Sequence, residues 1–360
     1  MIFITIDDPL RDNKSFRDYA DQKHYKGNSP FENIRMDLIK QFPLDYMHVV
    51  LLGILKLYPG LRSDRQFDRL SEVFISMTQF VPKEISRKPQ PLYELKRWKA
   101  TTLRLFLLYF CPVILSDVLT SDYVKHFNCL SFAIRILCDP DDYLHNNETA
   151  DSQLRYFVKE FETLYPGYSV SNVHALIHLA ADSKNFGPLD NFSAFVFENH
   201  MQFLKKLLRK FDKPLQQIHR RLVEKIRVRS SKREKVNTPY PKLISATHDV
   251  LPLECYNSHR KLQFENFELN TKRPNNCCIL QDGSIVIINH IGKRHGEIVV
   301  IGRRVTNSEG IANYPIESTL VGIHKIISVS KLEVHLASKI SRKAIMFWHK
   351  SIYVTPLLHS

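Results

Sequence analysis

NVHALIHLAADSKNFGPLDNFSAFVFENHMQFLKKLLRK, Asn172 to Lys210, is the stretch on which the reading of this chain turns. His174 and His178 stand four apart, so on a helix their imidazoles share one face. Phe186-Gly187-Pro188 stops that helix, and Asn191-Phe192-Ser193 supplies cap residues for the next one. The second helix places Phe197, Met201, Leu204 and Leu208 on one side and Lys205, Lys206, Arg209 and Lys210 toward the other. It carries one acid, Glu198, at its start.

A second spaced pair lies upstream in FPLDYMHVVLLGILKLY, where Asp45 and His48 are three apart and share a helix face. Tetrahedral Zn2+ takes four ligands, commonly as two short-spaced pairs from separate elements, and both imidazole nitrogen and carboxylate oxygen qualify. Asp45, His48, His174 and His178 make one such set. The same spacing also suits a plainer arrangement, with Asp45 capping the helix after Pro43 and the histidines bonded to backbone.

Outward from these pairs the chain reads as helical, with an apolar stripe over Met47, Val50, Leu51, Ile54 and Leu57 or Tyr58 ending at Pro59-Gly60. Further helices are expected over 65–80, 98–110 with a break at Cys111-Pro112, 122–137 and 150–164. The acidic Asp139-Pro140-Asp141-Asp142 reads as a solvated turn. Before all of this, residues 2–6 suit a short strand ending at Asp7 and Asp8, and 11–29 suits an exposed connector.

After Lys210 the basic run continues through Lys213, Arg220, Arg221, Lys225, Arg227, Arg229, Lys232, Arg233 and Lys235, against Asp212, Glu224 and Glu234. From Lys205 to Lys235 the chain carries 13 Lys and Arg against three acids, so most of its formal charge of +14 sits there. Such a stripe neutralises phosphates in a salt-dependent, sequence-blind way, although a solvated charged face has the same composition. Beyond Pro239, β-rich runs at 278–280, 284–288, 297–301 and 320–329 are separated by Asp282-Gly283, Gly292-Lys293 and Ser308-Glu309-Gly310. KAIMFWHKSIYVT (Lys343 to Thr355) suits a last hairpin. The expectation is an α+β chain: a connector over 1–40, a mainly helical domain over 41–236 and a small antiparallel β-domain over 250–360.

At 360 residues and 44% hydrophobic content the chain has material for two cores, which excludes a disordered protein. Six cysteines without a CxxC or a regular framework suit free thiols in a reducing compartment. Met1 to Leu10 lacks the basic region and cleavage site of a signal peptide, and 103–115 contains Arg104 and Pro112, short of a membrane span. A soluble, intracellular protein with no membrane role is expected.

The runs LDYMH, WKATTLRLFLLYFCPVIL, NVHALIHLAADSKNFGPLDNFSAFVFENHMQFLKKLLRKFDKPLQQIHRRLVEK and VTPLLH together resemble transposase-derived proteins of animal genomes, distant relatives of plant CACTA (En/Spm) transposases. That resemblance implies an RNase H-like catalytic domain in which three acids, DDE, hold two Mg2+ ions. It also implies a helical insertion with a D/CxxH motif early and a paired-histidine motif before the last acid. Asp45 and His48 then match the first pair, His174 and His178 the second, and Glu198 the third catalytic acid. The first two aspartates have no counterpart here. One carboxylate does not hold two Mg2+ ions, so Mg2+ enters only if another chain completes the site.

The resemblance implies a truncated or domesticated remnant, nuclear and DNA-binding, with Lys205, Lys206, Arg209, Lys210, Arg220 and Arg221 on backbone phosphates. Two alternatives stay open: a protein-interaction module with partners on the β-domain, and a transposase subunit whose missing acids another chain supplies; a homo-oligomer stays open as well. A zinc hydrolase fits poorly, because there is no HExxH and four protein ligands leave no position for water.

Overall fold

The computed structural model describes residues 10–20, 22, 26–61, 64–230 and 240–358. The expected strand at 2–6 with Asp7 and Asp8, and Lys232, Arg233, Glu234 and Lys235 of the basic run, lie outside the described residues. The chain is α+β, with a helical region followed by strands whose pairings are antiparallel. It divides into two compact units, one of 1–192, 305–330 and 344–360, the other of 193–304 and 331–343.

The first unit is built on the Ala100–Asp117 helix. Its 18 residues have mean hydropathy 1.4, long and apolar enough to cross a membrane, but 78% of them are buried in the unit. The expected break at Pro112 does not occur. The helix widens into a π-turn over Phe106–Phe110 and continues through Cys111–Ile114, which makes room for the ring. Pro112 has no N–H for the Leu108 carbonyl, and the buried Arg135 guanidinium donates to that oxygen instead. Ser131 Oγ donates to Leu107 O at 2.7 Å. Arg135 also donates to Val321 O, at 3.0 Å from Nε and 2.7 Å from Nη2. The Ser121–Cys138 helix that carries Ser131 and Arg135 is buried without interruption from His126 to Cys138.

Aromatic side chains fill the rest of this core. Phe74 packs on Trp98 at 5.3 Å and on Phe106 at 5.0 Å between ring centroids, and Phe110 meets Phe347 edge-on at 5.0 Å. Each such pair adds about 1 kcal/mol to the area it buries. A polar thread runs through the cluster. Tyr165 donates to Tyr58 Oη at 2.8 Å, Tyr58 lies 2.9 Å from His126 Nδ1, and His126 Nε2 lies 3.0 Å from Phe157 O. A carbonyl only accepts, so Nε2 carries the imidazole proton and Nδ1 accepts from Tyr58. The segment read as an exposed connector is tied down as well: Arg17 donates to the carbonyls of Glu32 at 2.8 Å and Met36 at 2.9 Å.

The second unit contains the Phe195–Leu207 and Pro214–Ser230 helices and the strands β1 (Lys242–Ala246), β2 (Tyr256–Gln263), β3 (Glu268–Asn270), β4 (Cys277–Leu280) and β5 (Ile285–Arg294). The first part of β6 (Glu297–Glu309), the end of β7 (His324–Leu336) and the start of β8 (Ile340–His349) belong to it too. Strand β2 pairs with β1, β3 and β5, and β5 pairs with β4 and β6. Leu262, Leu269, Cys278, Val286, Ile288, Ile291 and Val300 form its core. Lys343 is buried there, donating to Glu268 O at 2.8 Å and Asn275 Oδ1 at 2.5 Å.

Asp282-Gly283 turns β4 into β5 as expected, with Gly283 at φ +82. The turn expected at Gly292-Lys293 falls instead at His295-Gly296, both with positive φ, the two-residue turn that matches strand twist. Gly292 stays inside β5 for a packing reason: a Cβ there would lie 2.3 Å from Leu251 Cδ1 and 2.8 Å from Tyr256 O. In the first unit, β8 and β9 (Ser351–Pro356) form the last hairpin, with Phe347 opposite Tyr353 and Trp348 opposite Ile352.

Candidate metal and nucleic-acid sites

The two spaced pairs lie on segments packed side by side in the first unit. The Leu44 N–H donates to Asp182 Oδ2 at 2.8 Å, while Gly53 is so close to the histidine segment that a Cβ would fall 2.2 Å from Asn172 Nδ2. The helix that follows Asp45 therefore runs antiparallel to 172–182, with Asp45 and His48 between those two contacts. Gly53 is the residue that allows the approach.

Asp45 caps its helix, accepting from Met47 N at 3.2 Å and His48 N at 3.3 Å. Its Oδ2 also pairs with His48 Nδ1. The histidine helix is not uniform: Ser171–Ala175 and Leu179–Phe186 are α-helical, and Leu176–His178 tightens into a 3-10 turn. The rings of His174 and His178 end edge-to-face with centroids 5.6 Å apart. Burial, the neighbouring His174 and then Arg155 lower the pKa of His178, which favours the neutral imidazole that ligates metals. Among the described residues, no three His, Cys, Asp or Glu side chains gather closely enough to hold a metal ion. The donor types fit zinc, and the structure brings the two backbone segments together but not the four side chains around one point.

Beside this pair of segments lies a polar cluster that no spacing signalled. Tyr46 donates to Asp190 Oδ1 at 2.7 Å, and Arg104 Nη1 donates to Asp190 Oδ1 at 2.8 Å and to Tyr46 Oη at 3.1 Å. Burial disfavours the Arg104 charge, but Tyr46 and Asp190 more than offset it and push its pKa up. A lone arginine inside an apolar helix was the available sign of a buried ion pair. This one joins the Met47 helix, the Ala100 helix and the Gly-Pro segment before Ser193.

Glu198 lies in the second unit, in the first turn of the Phe195–Leu207 helix, where a carboxylate complements the helix dipole. Val196, Phe197 and Met201 beside it are 65%, 69% and 53% exposed. Phe197 and Met201, expected on the apolar side, thus face solvent in this unit, whereas Leu207 is buried.

The proposed phosphate contacts occupy one helical hairpin of the second unit. Lys205, Lys206, Arg209, Lys210 and Arg220 are exposed, and Arg221 is half-buried, 3.2 Å from Glu224. Gln217, which sequence reasoning passed over, organises the connection. Its Oε1 accepts from Arg209 N at 3.0 Å and Lys210 N at 3.3 Å, and its Nε2 donates to Lys210 O at 3.0 Å and to Asp212 O. Lys225 Nζ sits 4.2 Å over the Phe203 ring and braces the two helices.

Residues 245–357 match the family described as Domain of unknown function (DUF8592). No curated protein and no solved structure matches the chain.

Proposed function

We propose that this chain is a transposase-derived, nuclear DNA-binding protein that holds backbone phosphates with the hairpin of Phe195–Leu207 and Pro214–Ser230. The observation that carries the reading is the concentration of Lys205, Lys206, Arg209, Lys210, Arg220 and Arg221 on one ordered hairpin. Each phosphate contact contributes about 0.9 to the slope of log K against log salt on duplex DNA. The quadruple reversal K205E/K206E/R209E/K210E is expected to reduce that slope by about 4, measured by fluorescence anisotropy on a random-sequence duplex. Unchanged affinity and slope would sink the proposal.

In the same reading, Asp45, His48, His174 and His178 hold one structural Zn2+, which when bound would clamp the two antiparallel segments together. Metal analysis by mass spectrometry is expected to find one zinc per chain, lost in H174A/H178A. A folded wild type without zinc removes this part and leaves the DNA proposal standing. Glu198, as a single acid, does not form a two-Mg2+ centre, so no strand transfer is expected from this chain alone.

A second reading is favoured by the exposed Val196, Phe197 and Met201 around Glu198: a subunit whose helix is covered by a partner chain that contributes the other acids. It predicts a stable complex with a different chain by light scattering, disrupted by F197D; self-association alone would not supply the missing acids. A strictly monomeric protein that captures no partner would oppose it.

A further inference from the structure

We infer that the loop between the two basic helices takes single-stranded DNA, with Phe211 as a stacking platform for an unpaired base. This rests on the DNA-binding reading and names the form of DNA.

Phe211 is fully exposed, at 106% of its reference area, and Leu215, the second residue of the next helix, is 77% exposed. The backbone that carries the ring is nonetheless fixed. Gln217 bonds the amides of Arg209 and Lys210 and the carbonyls of Lys210 and Asp212, and Lys213 turns the chain at φ +47. A side-chain amide that satisfies backbone groups on both sides of residue 211 fixes the backbone from which the ring projects, so little backbone order is lost when a ligand stacks on it.

The surroundings select the ligand. Arg209, Lys210 and Lys213 lie within two residues of the ring, and the only acid among them is Asp212. An aromatic face interleaved with cations suits a chain of phosphates carrying bases with free faces. Duplex DNA meets the cations equally well but keeps its base faces stacked, so the ring gains nothing there. An anionic bilayer also offers negative charge, but lipid insertion relies on a broad apolar face. Here the tip of the loop presents two apolar side chains, Phe211 and Leu215.

The test uses the full chain, a fluorescein-labelled dT20, the matching 20-bp duplex, and vesicles of phosphatidylcholine with 30% phosphatidylserine. Wild type is expected to bind dT20 more tightly than the duplex. Phe211→Ala is expected to weaken dT20 binding roughly 5- to 100-fold with the salt slope unchanged. Phe211→Trp is expected to restore or strengthen it. Duplex affinity stays within about twofold in both variants. Because the ring is fully exposed, these substitutions leave the fold intact, as circular dichroism will verify.

If Phe211→Ala binds dT20 as wild type does while K205E/K206E/R209E/K210E weakens both DNAs, the stacking proposal falls and the phosphate reading stands. If wild type binds neither DNA, both fall. Binding to the vesicles that is lost in Phe211→Ala, with dT20 binding unaffected, assigns the loop to lipid and overturns the proposal.

Discussion

Acidification should strike the first unit at His126. This imidazole is 1% exposed, stacked on Phe157 at 4.1 Å and bonded at both nitrogens in its neutral form. Burial lowers its pKa from 6.5 to about 4, against a smaller upward pull from the Phe157 carbonyl. With the folded value below the unfolded one, the neutral histidine costs nothing above pH 6.5. Stability is lost as pH falls from 6.5 toward 4, because the unfolded chain takes up a proton that the folded chain refuses. At about 1.4 kcal/mol per unit, the loss is about 2 kcal/mol by pH 5 and about 3 kcal/mol by pH 4. The assay is urea unfolding of wild type and His126→Gln across that range. Glutamine keeps a donor and an acceptor but does not titrate, so carboxylate contributions cancel in the difference. Wild type should lose about 3 kcal/mol more than the variant between pH 7 and 4. Parallel curves within about 0.5 kcal/mol would refute the burial of a neutral His126 that resists protonation.

Gly53→Ala is expected to cost about 1–3 kcal/mol, because the added Cβ would lie 2.2 Å from Asn172 Nδ2 and 2.8 Å from His48 O, and an unchanged Tm would contradict the close approach. Arg135→Met should cost about 2–6 kcal/mol by stranding the carbonyls of Leu108 and Val321. In a Pro112→Ala background the restored N–H can serve Leu108, so the same substitution should cost about 1 kcal/mol less, and strict additivity in a double-mutant cycle would reject that link. Burial raises the pKa of the Cys111, Cys129, Cys138, Cys277 and Cys278 thiols, to about 12 at Cys129 and Cys277. Only the half-buried Cys255 should therefore react quickly with a thiol reagent in the native protein, with all six reacting in denaturant. Rapid modification of two or more would show that these cores open.

Local chemistry was legible in the sequence. Helical periodicity, the Gly187-Pro188 stop, the Asp282-Gly283 turn and the last hairpin are short-range properties, set by backbone allowances and by the alternation of apolar residues along an element. Charge density is likewise a linear property, and it marked the basic run that includes Lys205 to Arg221, whereas the break of that run into two helices, with Arg209 and Lys210 in the loop, came only from the structure. Tertiary structure decided what depends on a partner distant in sequence. Pro112 ends a helix unless another segment donates to the Leu108 carbonyl that it leaves without an N–H, and Arg135 does so from the next helix. Gly292 resembled a turn residue, yet the crowding of Leu251 and Tyr256 makes it an interior strand residue. Tyr46, Arg104 and Asp190 carry no common spacing, because the ion pair they form is closed only by burial. Gln217 fixes the backbone on either side of Phe211 through bonds that no side-chain pattern records.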